Sequence, residues 1–183
     1  MESNTPLLIY YSRAGIVFQN KPPQKIGNTK IIINYIKELI NVDEFELIPK
    51  NKYPEDYIEI SNIAKKEFEE RELVPLANKE FPDISKYNTI IIGFPIWMDT
   101  FPMVINTFLQ NYPTSVWKQK HIFVVTTHEG SIYGKSINDV KDICKDAIIQ
   151  PGISFNGYKV SSGKEKTKKW LEKIGLLVTQ NAF

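Results

Sequence analysis

The sequence has very few of the residues that hold metals or form covalent cross-links. Cysteine occurs once, at Cys144, and histidine twice, at His121 and His128. A single thiol cannot close a disulfide within the chain, and so few ligands exclude a zinc or iron–sulfur site built from several thiolates or imidazoles. We therefore expect no bound metal.

Long hydrophobic runs are also missing. No apolar stretch approaches the ~20 residues that a membrane-spanning helix needs. Residues 1–6 are polar and lack the basic and then apolar pattern of a secretory signal. Together with the single cysteine, these features predict a cytoplasmic protein that does not enter a membrane.

Neither sign of charge is in large excess. The 23 basic and 21 acidic residues are interleaved and leave a net charge of +2, and the only arginines are Arg13 and Arg71. The most basic stretch, residues 164–169, is typical of the solvated face of a terminal helix, so we expect no nucleic-acid partner. The length of 183 residues and the hydrophobic content of 42% predict one globular domain over residues 1–183.

Short apolar runs alternate with longer amphipathic stretches along the whole chain. The runs predict β-strands at Leu7–Tyr11, Glu44–Ile48, Thr89–Phe94, His121–Thr126 and Ala147–Phe155, the last bent near Pro151 and Gly152. The stretches between and after them predict helices at Asn28–Ile40, Tyr57–Glu72, Pro102–Gln110, Ser136–Lys145 and Glu165–Leu176, with Asn28 as an N-cap. This alternation favours an α/β protein with a parallel sheet.

Ligands of doubly wound sheets bind beyond the carboxyl ends of the strands, so the segments after the first, third and fourth strands carry the functional prediction. The first contains Ser12, Arg13 and Ala14 and resumes after a long insert as residues 27–29, Gly-Asn-Thr. Hydroxyl groups and open backbone N–H groups at a helix start predict a phosphate site. The alternative is simple capping of the helix by Asn28 and Thr29.

The other two segments suit a flat heterocycle. Residues 94–102 hold Trp97 between two prolines, which could form an aromatic wall, unless Trp97 packs back into the core. Residues 126–134 offer hydroxyl groups, glycine N–H groups and His128, which could read the polar edge of a ring. Alternatively, His128 is a loop histidine that bonds only to its neighbours.

Five short motifs occur at these strand ends in a fixed order. They are Tyr-Ser-Arg-Ala-Gly at 11–15, Gly-Asn-Thr at 27–29, Gly-Phe-Pro-Ile-Trp at 93–97, Thr-Phe-Pro-Met at 100–103 and Thr-His-Glu-Gly-Ser at 127–131. In this order the chain resembles a bacterial flavodoxin-like family from about Leu7 to Leu176.

This resemblance implies a three-layer α/β/α fold with a five-stranded parallel sheet in flavodoxin order and FMN held noncovalently. The residues that it implies for FMN are Ser12, Arg13, Ala14, Asn28 and Thr29 for the phosphate, Pro95, Ile96 and Trp97 for the isoalloxazine, and Thr127, His128, Glu129, Gly130, Ser131 and Gly134 for its pyrimidine edge.

The sequence departs from the family pattern in two places. An insert, Gly15–Ile26, splits the phosphate segment. Met98 and Asp99 stand where family members often carry a tryptophan and a glycine. A carboxylate beside the flavin would disfavour an added negative charge, so we expect little stable semiquinone.

Two other classes of α/β protein are excluded. A receiver domain would need acidic residues where Ser12 and Phe94 stand, and a dinucleotide-binding domain would need G-x-G-x-x-G after the first strand. Three functions remain open. The resemblance implies an FMN protein in electron transfer, with a redox protein as partner. The alternatives are an FMN-dependent NAD(P)H or quinone oxidoreductase, which the weakly basic charge favours over an acidic shuttle, and a flavin-binding module without turnover.

Overall fold

The computed structural model describes residues 5–16 and 22–178. In this part of the chain, five strands alternate with five helices in the predicted order. The strands are β1 (Leu7–Tyr10), β2 (Asp43–Glu46), β3 (Thr89–Pro95), β4 (His121–His128) and β5 (Ile148–Asn156). The helices are α1 (Asn28–Leu39), α2 (Tyr57–Glu70), α3 (Met103–Gln110), α4 (Ser136–Ile143) and α5 (Lys164–Lys173).

The strands form one parallel sheet in the order β2-β1-β3-β4-β5. In the centre, Ile9 of β1 pairs with Phe45 of β2 on one side and Ile92 of β3 on the other. The chain runs outward from β1 to β2 and then returns to the other side of β1 with β3. The strand order reverses there, which opens a crevice at the carboxyl ends of β1 and β3.

Helices cover both faces of the sheet. Alternate residues of β1 point to opposite faces, so Leu7 and Ile9 belong to one buried cluster and Leu8 and Tyr10 to the other. The first cluster includes residues of α2, α3 and α4, and the second includes residues of α1 and α5. The predicted three-layer flavodoxin-like fold is confirmed.

The predicted bend in the last strand is a β-bulge. Between Phe123 and Val125 of β4, the paired residues on β5 advance from Gln150 to Ile153, one residue more than on β4. A Cβ atom on Gly152 would lie 1.7 Å from the carbonyl oxygen of Val124. Only glycine therefore allows the two backbones to approach this closely.

Within residues 5–16 and 22–178, no helix combines the length and the apolar character needed to cross a membrane.

Candidate functional site

A cavity of about 220 Å³ opens at the crevice beside the carboxyl ends of β1, β3 and β4. Its lining consists of Ser12, Arg13, Ile16, Asn28, Thr29, Tyr57, Ile60, Ser61, Ala64, Pro95, Ile96, Trp97, Met98, Thr127, His128, Glu129 and Ser131. All three strand-end segments singled out in the sequence therefore meet in one place.

The start of α1 is held tightly against the end of β1. Gly27, in extended conformation, is the N-cap, and a Cβ atom there would lie 2.2 Å from the carbonyl oxygen of Arg13. The Ser12 hydroxyl accepts a hydrogen bond of 3.0 Å from the backbone N–H of Lys30. Ser12 thus provides the side-chain cap that Gly27 cannot. The prediction of Asn28 as N-cap is wrong. The helix begins one residue after Gly27, which is the N-cap, and the close contact with Arg13 leaves room only for glycine there.

The long insert is closed at its base. Gly15 and Gln24 exchange two backbone hydrogen bonds, each 2.8 Å long, as in an antiparallel bridge. This bridge brings Ser12 and Gly27 together although fourteen positions separate them in the sequence. Of the insert Gly15–Ile26, residues 17–21 lie outside the described residues.

Arg13 joins two loops around the cavity. Its guanidinium donates to the carbonyl oxygens of Ile16 at 2.8 Å, of Glu55 at 2.9 Å and of Pro54. Burial lowers the pKa of Arg13, although a guanidinium stays charged at any physiological pH. Arg13 therefore contributes positive charge near the start of α1, while several of its N–H groups are already engaged.

The first turn of α1 presents unused hydrogen-bonding groups to the cavity. Among the described residues, the backbone N–H groups of Asn28 and Thr29 have no acceptor, as expected for the first turn of a helix. The side-chain oxygen of Asn28 is buried and also lacks a partner there. The Thr29 hydroxyl lies 2.8 Å from the Thr127 hydroxyl and links α1 to the end of β4. Such a helix end is suited to a phosphate group.

Trp97 both lines the cavity and packs against the protein. It is half-buried, with its ring edge-on to Tyr53 at 5.3 Å and to Tyr11 at 5.6 Å between centroids. These contacts hold the indole in one orientation at the cavity wall. Trp97 therefore both lines the cavity and contacts core side chains, and its role as a wall for a flat ligand stays a prediction.

Residues 97–100 form a tight turn in an unusual conformation. Trp97 and Thr100 exchange backbone hydrogen bonds of 2.8 and 2.9 Å, and Met98 and Asp99 between them have φ of 47° and 63°. Glycine or asparagine normally occupies such positions. Asp99 does not line the cavity, and its carboxylate lies against Gly134, so the structure places its charge away from the lining.

The last residue of β4, His128, and the following loop residues Glu129 and Ser131 lie at the cavity. The Nδ1 atom of His128 accepts the N–H of Gly130 at 2.9 Å, which leaves the proton of the neutral ring on Nε2. Burial, with a smaller contribution from the charge of Lys166, lowers the pKa of His128. Neutral His128 can therefore donate one hydrogen bond at physiological pH.

Most of the residues predicted for the site line the cavity, and three do not. Ala14, Gly130 and Gly134 lie outside the lining, and Gly134 instead packs against the backbone of Asp99. The sequence reasoning missed Ile16, Tyr57, Ile60, Ser61, Ala64 and Met98. Tyr57, Ile60 and Ala64 are spaced to lie on one face of α2, but such spacing does not show that a cavity lies in front of that face.

A buried carboxylate stands behind the aromatic wall. Glu67 of α2 is only 7% exposed, and the Tyr53 hydroxyl donates to both of its oxygens at 2.9 and 2.8 Å. Burial raises the pKa of Glu67, and the hydrogen bond from Tyr53 offsets part of that effect. Glu67 thus fixes Tyr53, which in turn supports Trp97.

This raised pKa predicts a pH-dependent stability. A carboxyl group whose pKa is higher in the folded state stabilises the fold below its usual pKa, and this stabilisation is lost as the pH rises through the folded-state value. Glu67→Gln should therefore lose less stability than the unaltered protein as the pH rises above the ordinary glutamate pKa of about 4.3. Urea unfolding across this range measures the difference.

Glu70→Gln on the same helix is the matched control, because Glu70 is exposed. That variant should follow the unaltered protein at every pH. Parallel pH profiles for Glu67→Gln and the unaltered protein would contradict the assignment of a raised pKa.

A parallel sheet in this order, with an open helix N-terminus and an aromatic wall at its switch point, defines the flavodoxin-like class of α/β proteins. The Flavodoxin_4 model, described as flavodoxin, matches residues 24–174. The chain therefore belongs to this flavodoxin family. No curated protein matches the sequence.

Solved structures share the fold at low sequence identity. A proposed flavoprotein from Bacteroides uniformis is 21% identical, with a TM-score of 0.69 over 92% of this chain and 97% of that chain. A flavoprotein from Lactobacillus acidophilus, solved in complex with FMN, is 16% identical, with a TM-score of 0.60 over 87% of this chain and 98% of that chain. General stress protein 14 from Treponema denticola, also in complex with FMN, is 12% identical, with a TM-score of 0.51 over 92% and 99%.

Proposed function

We propose that this protein binds FMN noncovalently in the cavity and takes part in electron transfer. The observation that carries this proposal is the meeting of the open first turn of α1 with the wall formed by Trp97 at the sheet's switch point. The FMN complexes of the two structural neighbours support the choice of ligand. Bound there, FMN would supply both one-electron and two-electron redox chemistry.

Each part of the ligand has matching groups in the cavity. The N–H groups of Asn28 and Thr29 and the hydroxyls of Ser12 and Thr29 would hold the phosphate, with the charge of Arg13 nearby. Pro95, Ile96 and Trp97 would contact the isoalloxazine, and His128 would donate to its polar edge. Gly27 also supports the phosphate assignment. Its close packing against Arg13 and Ser12 excludes a side chain at that position, so none stands at the start of α1.

Titration of the flavin-free protein with FMN tests the proposal. Flavin fluorescence should be quenched saturably at micromolar FMN, and acid should release the flavin unchanged, because no covalent bond is formed. Absence of saturable binding would contradict the proposed function.

Thr29→Ala should separate phosphate recognition from ring recognition. The change removes a hydroxyl group beside the phosphate site, worth on the order of 1.5–3 kcal/mol when it donates to an anion. FMN binding should weaken by about tenfold or more, whereas riboflavin, which lacks the phosphate, should bind almost as before. Fluorescence titration with the two flavins measures both affinities.

Thr29→Ser, which keeps the hydroxyl, should restore FMN affinity. The Thr127 hydroxyl loses its 2.8 Å partner in Thr29→Ala, so some stability should be lost as well. An equal loss of affinity for FMN and riboflavin would show that Thr29 serves only to join α1 to β4.

A second candidate is an FMN-dependent NAD(P)H or quinone oxidoreductase. The net charge of +2 favours it, since a protein shuttle steered to basic partners would gain from an acidic surface. Oxidation of NADPH by the FMN-loaded protein without air would distinguish it from a shuttle, which needs a separate reductase. A protein reduced by neither route would be a flavin-binding module. We place all three functions in the cytoplasm, in keeping with the single cysteine.

A further inference from the structure

We propose that Trp97, Tyr53 and Glu67 form a radical relay, which moves an oxidising equivalent from the cavity wall to a buried tyrosine. The oxidant is a one-electron oxidant at the cavity, either a flavin excited by light or an oxygen-derived radical. The inference rests on the proposed function only where the flavin is the oxidant. The relay itself consists of side chains of this chain, and the structure shows each of their contacts.

Two successive contacts connect the cavity to the buried carboxylate. Trp97 lines the cavity, so an oxidant bound there meets the indole first. Tyr53 does not line that cavity, but its ring lies edge-on to Trp97 with 5.3 Å between centroids. The Tyr53 hydroxyl donates to the two carboxylate oxygens of Glu67 at 2.9 and 2.8 Å. Tyr53 can therefore pass an electron to Trp97 by direct contact, and an acceptor for its proton is already in place.

The step takes one electron and one proton from Tyr53. The oxidant removes one electron from Trp97 and leaves the indole as a radical cation. Tyr53 then gives an electron to Trp97, which becomes neutral indole again, and gives its phenolic proton to the carboxylate of Glu67. The products are a neutral phenoxyl radical and a neutral carboxylic acid. Burial favours this outcome, because a cation and an anion are replaced by uncharged groups.

Glu67 is suited to take the proton. Burial raises its pKa, which makes the carboxylate a stronger base than an exposed one, while the hydrogen bond from Tyr53 favours the charged form before the step. The side chain is only 7% exposed, so bulk water does not compete for the Tyr53 proton. The hydrogen bond between the two residues therefore sets the direction in which the proton moves.

The relay ends at a second cavity, which has a volume of about 310 Å³. Tyr53 and Glu67 both line it, together with the exposed side chains of Lys66 and Glu72, whereas Trp97 does not. The proton on Glu67 can therefore leave to solvent on this side. The oxidised ring then lies outside the cavity proposed for FMN, and Trp97 is restored before its indole is damaged.

Tyr11 also contacts Trp97 but lacks a proton acceptor. Its ring lies 5.6 Å from the indole, close to the distance of Tyr53. Among the described residues, no carboxylate accepts its hydroxyl proton, and the positive charge of Arg13 acts on it. An oxidised Tyr11 would therefore remain a buried cation near a guanidinium, which disfavours it as the radical site.

Pulse radiolysis of the flavin-free protein with azide radicals tests the relay. Azide radicals take one electron from indole, so the absorption of the tryptophan radical should appear first and decay as the phenoxyl absorption grows. The rate should be independent of protein concentration, because the transfer is intramolecular, and lower in deuterium oxide, because a proton moves with the electron. Trp97→Phe should remove this phase, since Trp117 and Trp170 are buried.

Three substitutions assign the transfer to these residues. Tyr53→Phe should abolish the phase, because the ring remains but has no proton to give. Glu67→Gln keeps an acceptor for the hydrogen bond but no base, and should slow the transfer by about tenfold or more. This variant also decides the matter if Tyr53→Phe, which leaves the Glu67 carboxylate without its donor, does not fold. Tyr11→Phe is the matched control and should leave the rate unchanged.

Illumination of the FMN-loaded protein in air tests the consequence for Trp97. Tyr53→Phe should accumulate more oxidised Trp97 than the unaltered protein, as measured by peptide mass spectrometry, and Tyr11→Phe should not. Equal oxidation in Tyr53→Phe and the unaltered protein, an unchanged transfer rate in Glu67→Gln, or loss of the phase in Tyr11→Phe would each overturn the relay. The radiolysis experiment contains no flavin, so these rates leave the proposed function untouched, whereas failure to bind FMN overturns that function and not the transfer.

Discussion

Gly27→Ala, which adds a single methyl group, should lower the affinity for FMN by about 100-fold or more. The added Cβ would lie 2.2 Å from the Arg13 carbonyl oxygen and 2.4 Å from the Ser12 hydroxyl oxygen, so α1 and the end of β1 must separate. The phosphate would then lose two or more charge-assisted hydrogen bonds, each worth about 1.5–3 kcal/mol. Fluorescence titration with FMN measures the loss.

Ile26→Ala provides the control for Gly27→Ala. Ile26 is the preceding residue and is 50% exposed, so its truncation should leave FMN affinity unchanged. The melting temperature of Gly27→Ala should be recorded as well, since crowding of this kind typically costs about 1–3 kcal/mol of stability. Unchanged FMN affinity in a variant that folds would show that the phosphate binds elsewhere.

Trp97→Ala should abolish most of the tryptophan quenching by FMN while the flavin-free protein stays folded. Trp97 makes two edge-on aromatic contacts, to Tyr11 and Tyr53, each worth about 0.5–1.5 kcal/mol beyond area burial. Because the ring is only half-buried, its loss should destabilise the fold less than the 3–5 kcal/mol typical of a core tryptophan. FMN affinity should fall together with the quenching.

Trp117→Ala is the matched comparison, because Trp117 is fully buried and does not line the cavity. That variant should lose about 3–5 kcal/mol of stability and, where it still folds, retain FMN binding with quenching of Trp97. Urea unfolding and fluorescence quenching together separate the two residues. A greater loss of stability in Trp97→Ala than in Trp117→Ala would show that Trp97 serves mainly as a core residue.

The elements of the fold could be predicted because their signals are local. Ile90, Ile91 and Ile92 are consecutive β-branched residues and lie fully buried in β3, where both faces of a parallel strand are covered. The observed helix α1 ends one residue before its predicted end, and its start matches. Gly152 marked the bend of β5, although the contact with Val124 that demands glycine there is visible only in the folded sheet.

Contacts between distant residues could not be predicted. Capping of α1 by Ser12 and support of Trp97 by Tyr53 both depend on how separate elements pack. Glu67 is buried against Tyr53, although no pattern in the sequence singles it out. A residue's neighbours along the chain carry no information about a partner that folding brings to it.

By itself, the sequence determined the order of strands and helices and the place of the three strand-end segments, while the kind of group that each segment binds stays a prediction. Burial patterns, and glycine or proline at strand ends, involve only a few neighbouring residues and can therefore be recognised in the sequence. Only the tertiary structure decided that these segments share one cavity, that α2 supplies its remaining wall, and that Gly134 serves the turn at Asp99 instead of the lining. The physical reason is that a cavity is defined by the distances between elements, and those distances are set by the packing of the whole sheet and its helices.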